Sequence, residues 1–176
     1  MKKLIIILIA LFSIYLVYNT NAKQETVKIP DSAIRFRVLA NSNSPRDQKI
    51  KEDVRDKMQS ELYTLLKNAK DINEARVLIN DKMDYFDEVV KSSLEEVGYS
   101  YTIDYGMHEF PEKTYKGITY DAGEYESLLV TLGEGKGDNW WCVLFPPLCL
   151  LEAEETTDTT EIEYKSFIKE IIEKYF

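Results

Sequence analysis

The side chains that could carry out nucleophilic chemistry are few in this chain. It has one histidine, His108, and two cysteines, Cys142 and Cys149. A thiol hydrolase needs a thiolate beside an imidazole that a third polar group orients, and Asp138 is an available third group. The spacing does not predict that these residues meet, and the polar stretch around His108 is typical of a solvated loop. A cysteine hydrolase therefore stays an alternative and not the favoured interpretation.

The two cysteines are better explained as a disulfide. Six residues separate Cys142 from Cys149, and they include Pro146 and Pro147, which favour a reversal of the chain. The N-terminus described below predicts export, and an even pair of cysteines in an exported domain is typical of a disulfide. Two buried thiols are the alternative. Because two cysteines and one histidine do not fill a tetrahedral site, we expect no bound metal, and no motif predicts a cofactor.

Glycines and carboxylates offer weaker motifs. The segment 133–137 reads Gly-Glu-Gly-Lys-Gly and lacks the Gly-Lys-Ser/Thr ending of a phosphate-binding loop, so it predicts a hairpin turn between two strands. Carboxylate pairs such as Glu124 with Glu126, or Glu134 with Asp138, could flank a glycosidic bond. The chain has 31 acidic residues, so such pairs arise from composition alone. A carboxyl hydrolase is a second alternative.

The neighbouring residues Trp140 and Trp141 are more informative. Adjacent side chains on a strand point to opposite faces of the sheet, so the two rings cannot enter the same core. One ring is expected in the core, and the other is either covered by a helix or exposed as an anchor for a partner. We expect a partner-binding surface that combines these two rings with Phe145, Lys136 and Asn139.

Composition and the N-terminus indicate an exported acidic domain. The chain of 176 residues has 22 Lys and Arg against 31 Asp and Glu, and the net charge of −9 argues against nucleic acid as a partner. Residues 1–22 combine two lysines, an apolar run over 4–18 and small residues up to Ala22, which is the pattern of a cleaved secretory signal. An uncleaved membrane anchor is the first alternative and a buried core helix the second. With a signal or an anchor, only this segment contacts the membrane.

Hydrophobic periodicity predicts an α+β fold. A two-residue period predicts a half-buried strand over 33–40, and periods near 3.6 predict two helices, over 45–68 and 71–97, that form an antiparallel hairpin. Further strands are expected over 99–105, 124–132 and 140–145, with a loop over 106–118 between the first two. This order predicts a largely antiparallel sheet with the two-helix hairpin on one face and a short C-terminal helix.

The same patterns divide the chain into five segments. They are the signal peptide or anchor (1–22), a polar tether (23–32), the main folded domain (33–151), an acidic linker (152–162) and the C-terminal helix (163–176).

Two blocks of sequence resemble the stage II sporulation protein R family. The first, over 34–56, reads IRFRVLANSNSPRDQKIKEDVRD, and the second, over 120–149, reads YDAGEYESLLVTLGEGKGDNWWCVLFPPLC. The second block is long and unusual in composition. The resemblance extends over the folded region from about residue 30 to residue 151, together with the export signal.

The resemblance implies that the domain over 33–151 is a signalling domain of endospore-forming bacteria. Members of this family are made in the forespore and exported across the forespore membrane into the intermembrane space. There they activate a membrane-embedded aspartic protease that processes the pro-form of the mother-cell sigma factor, sigma-E. The family has no enzymatic activity of its own. The alternatives are an exported cysteine or carboxyl hydrolase acting on the cell wall, and a structural component of the septum.

Overall fold

The computed structural model describes residues 29–115, 118–149 and 161–175. The strands are β1 (Ile34–Leu39), β2 (Tyr101–Phe110), β3 (Lys113–Tyr115), β4 (Ile118–Tyr120), β5 (Gly123–Leu132) and β6 (Asn139–Phe145). The helices are α1 (Pro45–Leu66), α2 (Ile72–Asp81), α3 (Met83–Leu94) and α4 (Glu161–Tyr175). The expected signal peptide, most of the tether and most of the acidic linker lie outside the described residues.

The main sheet has four strands in the order β2-β5-β1-β6. β1 runs parallel to β5, whereas the pairs β1–β6 and β2–β5 are antiparallel. A separate two-stranded ribbon, β3–β4, occupies part of the segment 106–118 that was predicted to be a loop. The fold is therefore α+β with a mostly antiparallel sheet, as predicted.

The position of β1 corrects the interpretation of the glycine-rich segment. β5 and β6 are not neighbours, because β1 lies between them and pairs with both. The segment 133–138 therefore crosses the end of β1 and does not form a hairpin turn. Periodicity within a strand cannot reveal which strand its neighbour will be, so this insertion was not visible in the sequence.

Helices α1, α2 and α3 cover one face of the sheet, here called the inner face, whereas Ile168 of α4 packs on the opposite face. α1 begins after Ser44, whose hydroxyl accepts a hydrogen bond from the N–H of Asp47 at 3.1 Å. α2 begins after Asp71, whose carboxylate accepts from the N–H groups of Asn73 and Glu74 at 2.8 and 3.0 Å. Both caps agree with the predicted starts of the two helices.

The second predicted helix is interrupted. At Lys82 the backbone leaves helical geometry, with φ −110° and ψ 8°, and divides the predicted helix into α2 and α3. The apolar stripe continues across the break, since Ile79 and Phe86 are both buried. A single non-helical residue leaves the hydrophobic period almost unchanged. The period therefore predicted one helix where the structure has two.

The inner-face core joins the sheet to α1, α2 and α3. Its largest fully buried side chains are Ile34, Phe36, Met58, Leu62, Leu66, Ile79, Phe86, Leu128, Leu132 and Phe145. Their burial confirms the predicted helical stripes and the apolar side of β1.

The opposite face of the sheet, here called the outer face, has a second core built around Arg35. This arginine is 2% exposed, and its guanidinium carbon lies 3.3 Å from the ring centre of Tyr125, 4.9 Å from that of Trp141 and 5.0 Å from that of Phe110. Burial lowers the pKa of Arg35, although nearby oxygens of Tyr125 and Asp31 oppose this effect. On the outer side of β1, Arg35 is buried whereas Arg37 and Leu39 are half-buried, so the strand is more buried than its two-residue period predicted.

We expect Arg35→Ala to lower the free energy of unfolding by about 3 kcal/mol, because truncating a large buried side chain leaves a cavity among the rings. Arg35→Met should recover more than half of that loss, since Nε and Nη1 of Arg35 have no hydrogen-bond partner in the described part of the chain. Urea denaturation measures both variants. Equal losses for the two would show that the charge over the rings, and not the filled volume, stabilises this core.

Candidate functional site

The two tryptophans lie on opposite faces of the sheet, as predicted; Trp141 is buried and Trp140 is partly exposed. Trp141 is 6% exposed within the outer-face core, where its ring centre is 5.1 Å from that of Tyr120. Trp140 lies on the inner face and is half-buried. Its ring centre is 5.8 Å from that of Phe36, and the guanidinium carbon of Arg55 is 5.4 Å from it.

The other predicted partner-binding residues also include both buried and accessible side chains. Phe145 is fully buried, with its ring centre 5.1 Å from that of Tyr175 on α4. In contrast, the side chain of Lys136 is 76% exposed, and Asn139 is half-buried. Phe145 and Trp141 are therefore interior residues of this fold, and Lys136, Asn139 and the open side of Trp140 are the accessible ones. Partner binding by these residues stays a prediction.

The two cysteines form a disulfide, as expected. Cys142 and Cys149 are joined with their Cα atoms 5.4 Å apart, which excludes the alternative of two free thiols. The bond holds the turn after β6 against that strand, and Gln59 Nε2 donates to the Cys149 carbonyl at 3.0 Å, which links the turn to α1. No thiolate is available from this pair.

His108 lies on β2, so its predicted place in a solvated loop is wrong. Its Nδ1 is 2.7 Å from Ser127 Oγ, and its Nε2 is 2.9 Å from Asp104 Oδ2. The hydrogen-bonded series Asp104–His108–Ser127 has the residue types of a hydrolase triad. Ser127 is fully buried, however, so its hydroxyl is not exposed to a substrate. Positions 104 and 108 share one face of a strand, a signal that required knowing that β2 continues to Phe110.

The structure does not bring Cys142, His108 and Asp138 together. Cys142 packs in the inner-face core, and His108 contacts Ser127, whereas the Asp138 carboxylate is 3.4 Å from Asn43 Nδ2.

Three of the four carboxylates in the proposed pairs, Glu126, Glu134 and Asp138, have structural partners. Glu126 forms an ion pair with Arg76 at 2.8 Å and accepts a hydrogen bond from the Tyr105 hydroxyl at 2.6 Å. Burial raises the pKa of Glu126, but the bonds from Arg76 and Tyr105 outweigh burial and the net pKa is lowered. Glu134 pairs with Lys136 at 2.8 Å. An ionised Glu126 does not fit the role of a general acid.

The two sequence blocks meet at what we call the loop junction, formed by residues 40–44 and 133–138. Backbone N–H groups of the second segment donate to the first: Gly137 to the Ala40 carbonyl at 2.9 Å and Glu134 to Asn41 Oδ1 at 2.9 Å. A Cβ atom at Gly137 would collide with the Ser42 carbonyl oxygen, so glycine is required for this close approach. The sequence offered no signal that the blocks touch.

The buried carboxylate of Asp47 holds the first segment of the loop junction in place through hydrogen bonds. Asp47 is 4% exposed and accepts hydrogen bonds from Ser42 Oγ at 2.6 Å, from Asn41 Nδ2 at 2.9 Å and from the Tyr99 hydroxyl. The bonds from Ser42, Tyr99 and Asn41 lower the pKa of Asp47 to about 2. Lys51 is also buried and its Nζ lies 3.3 Å from the Asp138 carbonyl oxygen. The junction is thus a rigid platform that presents Lys136 to solvent.

Two further kinds of site are absent from residues 29–115, 118–149 and 161–175. No group of three or more His, Cys, Asp or Glu residues there is placed to hold a metal ion. None of the helices there has the length and apolar character needed to cross a membrane.

The lowered pKa of Asp47 predicts a pH-dependent contribution to stability. Its folded pKa of about 2 lies below the usual unfolded value, so the contribution is present above about pH 4 and is lost as the pH falls toward 2. We expect the difference in unfolding free energy between the wild type and Asp47→Asn to be largest at neutral pH and to shrink in that window. Asp53→Asn, which removes an exposed carboxylate paired with Lys49, is the control. A difference that does not change with pH would contradict the assignment.

Comparison with known proteins confirms the family resemblance of the two sequence blocks. The family model described as Stage II sporulation protein R (spore_II_R) matches residues 30–155. The chain is 42% identical over 185 aligned positions to the Stage II sporulation protein R of Bacillus subtilis (strain 168), and the alignment covers 99% of this chain and 83% of that protein. No solved structure matches the chain. The chain therefore belongs to the stage II sporulation protein R family.

Proposed function

We propose that this protein is a secreted sporulation signal that binds and activates a membrane-embedded aspartic protease. That protease would process the pro-form of sigma-E and so couple gene expression in the forespore and the mother cell. The observation that carries the proposal is the 42% identity, over nearly the whole chain, with a stage II sporulation protein R. Binding alone can activate a receptor when the ligand prefers the active state of that receptor.

The arrangement of the reactive side chains supports binding and not bond cleavage. Among the described residues, both cysteines are bonded to each other, and the serine beside His108 is fully buried. The half-buried Glu126 is ionised and paired with Arg76. Each of these groups has a structural partner that would have to be displaced before it could act on a substrate.

The disulfide supports the proposed location. Structural disulfides persist in oxidising compartments and are rare in the cytosol, so the Cys142–Cys149 bond fits a protein that works after export. The N-terminal pattern over 1–22 is the export signal in this proposal, with cleavage after Ala22 or retention as an anchor.

The accessible side of the loop junction is the surface that we propose for the receptor. It carries Lys136, and the adjoining start of β6 adds Asn139 and the open side of Trp140. Its backbone is held by hydrogen bonds to residues 40–43, so little conformational entropy would be lost on docking. Trp141 and Phe145 would support this surface from the interior.

The proposal is tested by co-expressing this chain, the protease and the pro-sigma substrate in a host that does not sporulate. We expect processing of the pro-form only when all three are present. Processing in the absence of this chain would contradict the proposal.

The same assay tests the receptor surface. We expect Lys136→Glu to lower the processing rate about tenfold, because reversing an interfacial charge slows association. Lys91→Glu is the matched control, since Lys91 and Lys136 are both exposed lysines paired with a nearby glutamate. Equal rates for the two variants would remove Lys136 from the proposed surface without removing the function.

A binding role also predicts that His108 is dispensable for signalling. We expect His108→Gln to process the pro-form at the wild-type rate, since glutamine can still hydrogen-bond to Ser127 and Asp104. The melting temperature of the variant shows whether it is folded. A folded His108→Gln variant with no activity would favour the hydrolase alternative.

A further inference from the structure

Strand β2 forms one edge of the main sheet and is long and regular. All ten of its residues, Tyr101–Phe110, pair with β5 in one unbroken antiparallel register. On its other side, no strand within the described ranges pairs with it. Unpaired backbone N–H and C=O groups along such an edge are a template for another strand.

The opposite edge of the sheet, formed by β6, is protected against pairing with a further strand. β6 has seven residues, and its pairing with β1 shifts register between Ile34 and Arg35. Pro146 and Pro147 follow it directly, and the disulfide holds the next turn against it. β2 shares only the flanking proline, Pro111, with that edge. Within its ten residues it has no proline, no lysine and no register shift.

The hydrogen-bond pattern identifies which groups of β2 are free to pair. The Gly133 N–H donates to the Ser100 carbonyl at 2.7 Å, which fixes the alternation of the ladder. Even-numbered residues of β2 therefore bond to β5, and the N–H and C=O groups of Ile103, Tyr105 and Met107 face away from it. Met107 is also 60% exposed, which is unusual for a large apolar side chain in the middle of a strand.

The charges along this edge indicate the chemistry of its partner. The segment 101–112 contains Asp104, Glu109 and Glu112, all exposed, and has no Lys or Arg. The whole chain has a net charge of −9, so two copies would repel each other when their β2 edges approach. An extended segment with positively charged side chains would be attracted.

From these observations we infer that the β2 edge binds an extended segment of another protein, one with Lys or Arg at alternate positions, as a fifth strand of the sheet. Main-chain hydrogen bonds to Ile103, Tyr105 and Met107 would hold the segment. Asp104 would attract the row of positive side chains on its own face of the sheet, and Glu109, on the other face, adds to the negative potential of the edge. This inference does not depend on the protease proposal, because it rests on the pairing and the charges of β2 and not on Lys136, Asn139 or Trp140.

The test uses the full chain and two synthetic peptides of about nine residues, the length of an ordinary strand. One peptide alternates Lys with Val, and the other alternates Glu with Val. We expect the Lys peptide to bind and the Glu peptide not to bind, as measured by fluorescence anisotropy. In hydrogen exchange, the bound Lys peptide should protect the amides of Ile103, Tyr105 and Met107, whereas the amides of Thr102 and Asp104 should change little.

Met107→Pro is the decisive variant, because proline is tolerated where an edge N–H faces solvent but cannot donate to an added strand. We expect it to weaken binding of the Lys peptide about tenfold or more. Met107→Ala, which keeps the N–H, should bind nearly as the wild type does. If Met107→Pro does not fold, the hydrogen-exchange pattern of the wild type with bound Lys peptide still decides whether the β2 edge binds the peptide.

Several results would overturn the inference. They are no binding of the Lys peptide, equal binding of the two peptides, equal losses for Met107→Pro and Met107→Ala, and protection of amides outside β2. Sedimentation that shows a dimer of the wild type and a monomer of Met107→Pro would assign the edge to a second copy instead.

Discussion

The insertion of β1 between β5 and β6 is the constraint on which the rest of the structure depends. A strand that is paired on both sides lies at the centre of its sheet, and β1 buries four of its six side chains, including the charged Arg35. Arg35 is therefore held among aromatic rings, with Tyr125 closest at 3.3 Å. The same insertion forces the segment between β5 and β6 to cross the end of β1, where only glycine permits the close approach at position 137.

The polar residues of the loop junction follow from this crossing. Backbone groups that leave a strand near the protein interior must find new hydrogen-bond partners. The side chains of Asn41 and Asn43 supply them for Glu134 and Asp138. Asp47 in turn holds Asn41, and its carboxylate stays ionised because three hydrogen bonds favour that form. Polar residues of types that also occur in active sites thus serve here to hold the backbone where it crosses the end of β1.

Parts of this architecture could be predicted from the sequence because they depend on neighbours along the chain. Helix periodicity located α1 and the combined length of α2 and α3, and the caps at Ser44 and Asp71 are contacts within one turn. The opposite orientation of Trp140 and Trp141 follows from the geometry of any strand. The Cys142–Cys149 disulfide closes a loop short enough to be inferred from spacing and compartment.

Other features depend on residues far apart in the chain, and no local period reports them. The burial of Arg35 required β5 and β6 to pair on both sides of β1, and the ring of Phe145 meets Tyr175, which comes from the distant helix α4. His108 acquired its partner Ser127 through the register of β2 and β5. The sequence by itself thus determined most of the elements, the starts of α1 and α2, the disulfide and the family. Tertiary structure alone decided which strands are neighbours, and therefore which side chains remain accessible to a partner.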